Sequence, residues 1–383
     1  MRRLALLLLL VPVAARADGV VKPLNQFAYS FYGRLPAEGN VFYSPASIAF
    51  ALGMAYAGAR GETAAELGKA LGIGEGDHGA MGELLASLGD AKDIELAIAN
   101  RLWGDRSLKL LPPYQALTKD KYGADLGVVD FARAGDAARK TINRWVEEKT
   151  HDKIKDLLPP GAVDPLTRLV LTNAIYFKGK WATPFDKNKT EEAPFYAPKG
   201  ETRGPLMHTT ATFAYTPGDG FQVVSLPYRG DRLVLDVILP DARDGLPAVE
   251  KRLAGATPPD LIGRAQERVN LWLPRFTVRA GTLLKAPLGA LGVRRAFAED
   301  AQFDGIAAEK RGLYITEGYH QAFVAVDEEG TEAAAATGIV MGTRAARPPM
   351  RTIEFRADHP FLYVIRDTKT GLILFMGRLT SPA

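Results

Sequence analysis

Polar and apolar positions alternate with two different periods along this chain, and the period changes near the middle. Leu24, Phe27 and Phe31 fall at i, i+3 and i+7, which places one apolar stripe on a first helix. Ser44-Pro45 opens a second, since serine can cap free amides and proline suits a first turn. Its body, 46–57, is apolar nearly all round and is therefore expected to be buried. A third helix is predicted over about 136–149 with Ile142, Trp145 and Val146 inward. Strands are predicted where the period falls to two. Ile94, Leu96, Ile98 and Asn100 alternate, and 169–177 is the continuous apolar run of a strand covered on both faces. Further strands are expected at 222–226, 233–239, 269–273, 322–326, 361–365 and 373–377. Helices in the first 160 residues and strands thereafter make an α+β pattern, and with no internal repeat or long polar linker a single domain is expected.

One segment obeys neither period. After Val326 come Asp327-Glu328-Glu329-Gly330-Thr331-Glu332, four alanines, then 337–351, with strand-like sequence on both sides. Structureless connections of that length are uncommon in compact domains and are usually functional or disordered. Taken alone, the polyalanine fits a helical linker or a disordered insert as well as a functional loop.

Composition narrows the field. The 383 residues are 47% hydrophobic and 24% charged, with a net charge of +4 and both signs interspersed, so no nucleic-acid stripe is expected. Arg2 and Arg3, the apolar stretch from Leu4 to Ala14, and Ala15-Arg16-Ala17 before Asp18 read as a secretory signal peptide covering 1–17. Its removal takes three of the 48 basic residues and leaves a charge of about +1. The expected product is secreted or periplasmic, with no membrane span. The absence of cysteine excludes disulfides, thiolate metal sites and a cysteine nucleophile. The five histidines form no zinc-protease motif, and no nucleophile elbow or phosphate-binding loop appears. Neither catalysis nor a cofactor is expected.

Several blocks then occur in a telling order: Asn40 to Ile48, Gly58 to Thr63, Asn143 to Val146 with Thr150, Leu171 to Trp181, Leu226-Pro227-Tyr228, Leu273 to Phe276, His359-Pro360-Phe361 and Leu374 to Arg378. Together with Glu328 to Thr337 they resemble the serpin family over nearly all of the chain after the leader. The resemblance implies about eight to nine helices packed on three β-sheets, with an exposed reactive-centre loop at about 328–351. It further implies a single-use, covalent inhibitor of a serine protease. The loop is bait, and after cleavage its amino-terminal part enters the main sheet as a new strand, carrying the acylated protease with it. Serpin loop insertion is itself a standing illustration of strand addition and of released strain.

Carried onto this sequence, the resemblance assigns the hinge to Glu328, Gly330, Thr331, Glu332, Ala333, Ala334, Ala335, Ala336 and Thr337. Fifteen residues from the hinge glycine, counting it as first, stands Arg344, so Arg344-Ala345 is the expected scissile bond and a trypsin-like protease the expected partner; Arg347 is the alternative bait. Ser44, Ser47, Asn173 and His320 match the polar "shutter" beneath the opening sheet, and Lys180 and Trp181 the "breach" where insertion begins. Alone, Ser44 reads equally as a helix cap, and His320 and Trp181 as core residues. Residues 331, 333, 335, 337, 339 and 341 share one face of an extended strand, and the first four are small enough to enter a packed sheet. From Thr331 to Arg344 such a strand reaches ~45 Å at about 3.3 Å per residue. Few basic residues lie in 64–90, so glycosaminoglycan binding is not expected; the protein is expected to be a monomer. Family members that do not inhibit often carry bulky, charged or proline residues in the hinge, and Glu332 is the one such residue between Thr331 and Val340.

Overall fold

In a computed structural model of the chain, the described residues are 13–89, 94–253, 265–308, 312–331 and 352–382, with side chains from Gly19 onward. In order they form α1 (Val13–Tyr32), β1 (Val41–Tyr43), α2 (Pro45–Gly58), α3 (Gly61–Leu71), α4 (His78–Leu88), β2 (Ile94–Asp105), α5 (Pro112–Tyr122), β3 (Gly127–Val129), α6 (Phe131–Lys149) and β4 (Leu169–Lys180). There follow β5 (Glu191–Ala197), β6 (Gly200–Pro217), β7 (Phe221–Pro227), β8 (Leu233–Pro240), α7 (Leu246–Leu253), β9 (Ala265–Pro274), β10 (Phe276–Leu283) and α8 (Lys285–Ala290). The last are β11 (Ile315–Val326), β12 (Gly330–Thr331), β13 (Thr352–Arg356), β14 (Phe361–Asp367) and β15 (Ile373–Leu379).

Helix α2 is buried on every side except at Ala57, as its all-round apolar sequence requires. Ser44 caps it by accepting the Ser47 N–H, and Pro45 occupies the first turn. In α1, Leu24, Phe27 and Phe31 are buried together. The helix expected at 136–149 starts earlier, at Phe131, where Asp130 caps it. Two helices, α7 and α8, fall within the strand-rich half, so the division at residue 160 is softer than the pattern suggested.

The strands form a six-stranded sheet, in the order β10-β11-β12-β4-β2-β3, and a nine-stranded network. The network unites the two smaller sheets of the three-sheet expectation. In β6, Leu206–Tyr215 pairs with β9, while Ala214–Pro217 pairs with β7, so one long strand carries hydrogen bonds of both. That strand escaped the sequence reading because its residues 200–217 are polar and partly exposed, without clean alternation.

The six-stranded sheet positions the site. β4 and β11 are its central pair and run parallel, from Ile315 opposite Leu169 to Phe323 opposite Tyr176. β4 also pairs antiparallel with β2. Beyond Phe323 and Tyr176 the central strands part, and the short β12 lies between them, antiparallel to both. The chain leaves this sheet at Thr331 and joins the other at Thr352, where β13 pairs with β9. Thus residues 332–351 link two sheets. The expected bait Arg344-Ala345, the alternative Arg347, and hinge residues Glu332, Ala333, Ala334, Ala335, Ala336 and Thr337 lie outside the described residues.

Candidate functional site

The geometry at the top of the β4–β11 seam begins with a close approach. Gly330 faces Lys180 and Thr331 faces Gly179 across β4. A Cβ on residue 330 would fall 2.1 Å from the Gly179 carbonyl oxygen and 2.7 Å from the Lys180 Cα, so only glycine fits. The sequence suggested a glycine for free bending; the structure adds a steric reason for it. Thr331 is completely buried, and its hydroxyl is 2.8 Å from that of Tyr228. Tyr228 in turn stacks on Trp181, with ring centroids 4.6 Å apart. Trp181 ties the turn before β12 in place: its indole N–H donates to the Asp327 carbonyl and its backbone N–H to the Glu329 carbonyl, both at 2.9 Å. Lys180 contributes backbone, its carbonyl accepting from Arg229 N–H at 2.8 Å.

Charge pins the same turn. Glu328 is buried and bonds to the Arg275 guanidinium, while Thr190 Oγ1 donates to its Oε1 at 2.7 Å. Burial by itself would raise the Glu328 pKa; the bonds from Arg275 and Thr190 outweigh it and hold the carboxyl below its ordinary value. Lys187 reaches the neighbouring Glu329 at 2.6 Å on the exposed side. The loop expected from residue 328 is therefore anchored as far as Thr331. Arg275 and Thr190 were not singled out in the sequence, where nothing local links them to Glu328.

Lower on the seam the chemistry is neutral. Asn100 of β2, Asn173 of β4 and His320 of β11 sit side by side in register. Asn173 Nδ2 donates to Asn100 Oδ1 (2.7 Å) and to Ser47 Oγ (2.9 Å), and Ser47 Oγ donates to Asn100 Oδ1 (2.9 Å). His320 Nδ1 bonds to Asn173 Oδ1, and its Nε2 accepts the Ser44 backbone N–H at 3.2 Å. Those partners assign the proton to Nδ1. Burial pushes the His320 pKa down to about 3, only slightly opposed by its bond to Asn173, so the ring is neutral. Ser44 Oγ donates to the Leu374 carbonyl at 2.6 Å, tying α2 to the second sheet. All four residues named from the sequence thus meet here. The fifth, Asn100, was missed, although a polar side chain in phase with Ile94, Leu96 and Ile98 is the mark that would have found it.

This cluster is not built for acid–base catalysis. The serine nearest His320 offers a backbone N–H rather than its hydroxyl, no carboxylate among the described residues orients the ring, and the ring itself is buried. What it does chemically is satisfy polar groups across three sheet strands and one helix, so that α2 and the seam hold together without charge.

Comparison with known proteins agrees on one family. The family model described as "Serpin (serine protease inhibitor)" matches residues 22–382. The bovine (Bos taurus) leukocyte elastase inhibitor is 42% identical over 358 residues, covering 90% of this chain and 93% of its own. An uncharacterised serpin-like protein of the archaeon Thermococcus kodakarensis is 39% identical over 371 residues, covering 95% of this chain and 86% of its own. Among solved structures, a highly specific serpin of the insect Tenebrio molitor superposes with a TM-score of 0.85 at 31% identity, covering 96% of this chain and 98% of the other.

Proposed function

The chain belongs to the serpin family, and from that premise we propose that it is a single-use protease inhibitor whose bait is Arg344-Ala345 and whose target is a trypsin-like serine protease. The observation that carries this reading is β12, two residues of the loop's own stem already lodged antiparallel between parallel β4 and β11.

The register makes further insertion geometrically simple. Continuing from Thr331 brings Ala334 opposite Tyr176 on one side and Phe323 on the other, and those two are already partners of each other. The same count brings Thr337 opposite Asn173 and His320. A strand can therefore enter with no sliding of β4 against β11. Each step replaces one parallel contact by two antiparallel ladders, the better-paired arrangement, which favours insertion once the loop is cut. Because Thr331 points inward, Ala333, Ala335 and Thr337 follow on the inner face and Glu332 on the outer, so the hinge carries nothing large or charged into the core.

Arginine at the bait position suits an S1 pocket with a carboxylate at its base. The bovine relative's name speaks of elastase; here the arginine at position 344 favours a trypsin-like target. Residues 1–17 are proposed to be a removed leader, making the protein secreted or periplasmic; this rests on their basic, apolar and small-residue order.

The test is incubation with trypsin, followed by denaturing electrophoresis and intact-mass analysis. An adduct stable to denaturant, with release of the fragment beginning at Ala345, is expected. Clean cleavage with no adduct makes the protein a substrate and overturns the inhibitory reading. Arg344→Leu should abolish the trypsin adduct; an unchanged adduct would move the bait to Arg347.

A further inference from the structure

Asn188-Lys189-Thr190 is an Asn-x-Thr triplet, the acceptor sequence for asparagine-linked glycans, and no other asparagine of the chain has serine or threonine two residues on. It lies between β4 and β5 on a single 3-10 turn over Lys187–Lys189. Asp186 caps that turn, its Oδ1 accepting the Asn188 backbone N–H at 3.0 Å.

The seven asparagines of the chain divide sharply in what their side chains do. Asn25, Asn40, Asn100, Asn143, Asn173 and Asn270 each donate an amide N–H to another element or loop of the fold. Asn188 is exposed, and its side-chain amide has no hydrogen-bond partner among the described residues. An exposed asparagine alone is an ordinary surface residue; here the unpartnered amide coincides with the chain's one acceptor triplet.

The third residue of the triplet sets the timing. The Thr190 hydroxyl makes the sequence an acceptor, yet in the folded protein it donates to Glu328 Oε1 at 2.7 Å and helps to anchor the turn before β12. Lys187, next to Asn188, reaches Glu329 of that same turn. A transferase that needs the threonine hydroxyl therefore has to meet the triplet before this part of the chain folds.

We propose that Asn188 is an asparagine-linked glycosylation site, modified on the exported chain before Thr190 engages Glu328. The donor is an oligosaccharide carried on a polyprenyl diphosphate. Asn188 Nδ2 forms the bond to the anomeric carbon, the bond from that carbon to the phosphate oxygen breaks, and the polyprenyl diphosphate leaves while the amide proton passes to a base of the transferase. The inference rests on the export reading of residues 1–17 and is independent of protease inhibition.

The test is production of the full chain in a eukaryotic secretory host, behind its own leader and, in parallel, behind a leader known to work there. Intact-mass and peptide analysis of the exported protein should show one glycan on the peptide containing Asn188, and amidase release should leave aspartate at that position. Asn188→Gln and Thr190→Ala should lose the added mass completely, and Thr190→Ser should keep it. Glycan attachment only behind the substitute leader would break the export reading and leave the site standing. Exported protein at bare polypeptide mass behind both leaders, or added mass retained by Asn188→Gln, would overturn the site. Purified, unmodified, folded chain given transferase and donor should stay at polypeptide mass; its full modification would overturn the proposed timing.

Discussion

The two halves of the β4–β11 seam are held by opposite means. At the top, around β12, the strands have already parted, and the turn 327–330 is held from outside by Glu328 with Arg275 and Thr190, and by Trp181. Lower down the strands remain paired, and a neutral row of Asn100, Asn173 and His320 is bound from beneath to Ser44 and Ser47. Charge suits the first because that region is partly wet, Arg275 being half exposed. Neutral hydrogen bonds suit the second because an unpaired charge there would be very costly. On the proposed function, a seam with one charged, partly wet end and one neutral, more deeply buried middle should open from the top.

The largest effect should come from Thr331→Arg. Thr331 is already fully buried, so an arginine cannot occupy its place beneath Tyr228 or lead insertion. Complete loss of the trypsin adduct is expected, with cleavage retained; persistence of the adduct would detach β12 from the mechanism. Next in size is Asn173→Ala, which strips partners from His320, Asn100 and Ser47 at once. Ser47 Oγ still donates to Asn100 Oδ1, so His320 Nδ1 is the group left unsatisfied, and at ~1–3 kcal/mol for one such group a loss of about 2 kcal/mol is expected in urea unfolding. A loss below about 0.5 kcal/mol would mean that the row is not what closes the seam.

The pH dependence separates the regions further. His320 has its folded pKa near 3, below its unfolded value, so its contribution is complete above about pH 6.5 and is lost as pH falls toward 3. Thermal unfolding followed from pH 8 to 4 should decline below pH 6.5, and His320→Gln should flatten that part of the curve. Glu328 acts in a lower window. Its carboxyl is held below its ordinary value, so its stabilisation is present above about pH 4.5 and fades below it. Since Arg275 is half exposed, Glu328→Gln should cost only about 1 kcal/mol at neutral pH, the smallest effect of the four. Its readout is faster proteolysis within 327–331, and unchanged proteolysis would show that the anchor is idle.

Much of this site was legible because it is written in local blocks. The cap at Ser44, the all-round apolar α2 and the doubly covered β4 follow from residues within one element, and each appears where its pattern predicts. β6 and β13 were not legible, since their partners are supplied by β9 and the pairing, rather than their own composition, makes them strands. The hinge glycine was found, but the reason it must be glycine lies in the Gly179 carbonyl, which no spacing in the chain reveals.

The linear order of residues by itself determined the family's motif blocks, and on it rest the proposed inward phase of the hinge and the proposed bait arginine, because each depends on short-range periodicity or on identity at a counted position. Tertiary structure alone decided that Asn100 completes the row with Asn173, 73 residues away, and that Ser44 meets His320 across 276. It likewise brought Arg275 to Glu328. Hydrogen bonds and charges act over a few ångströms of space, and chain separation carries no information about them until the sheet has formed.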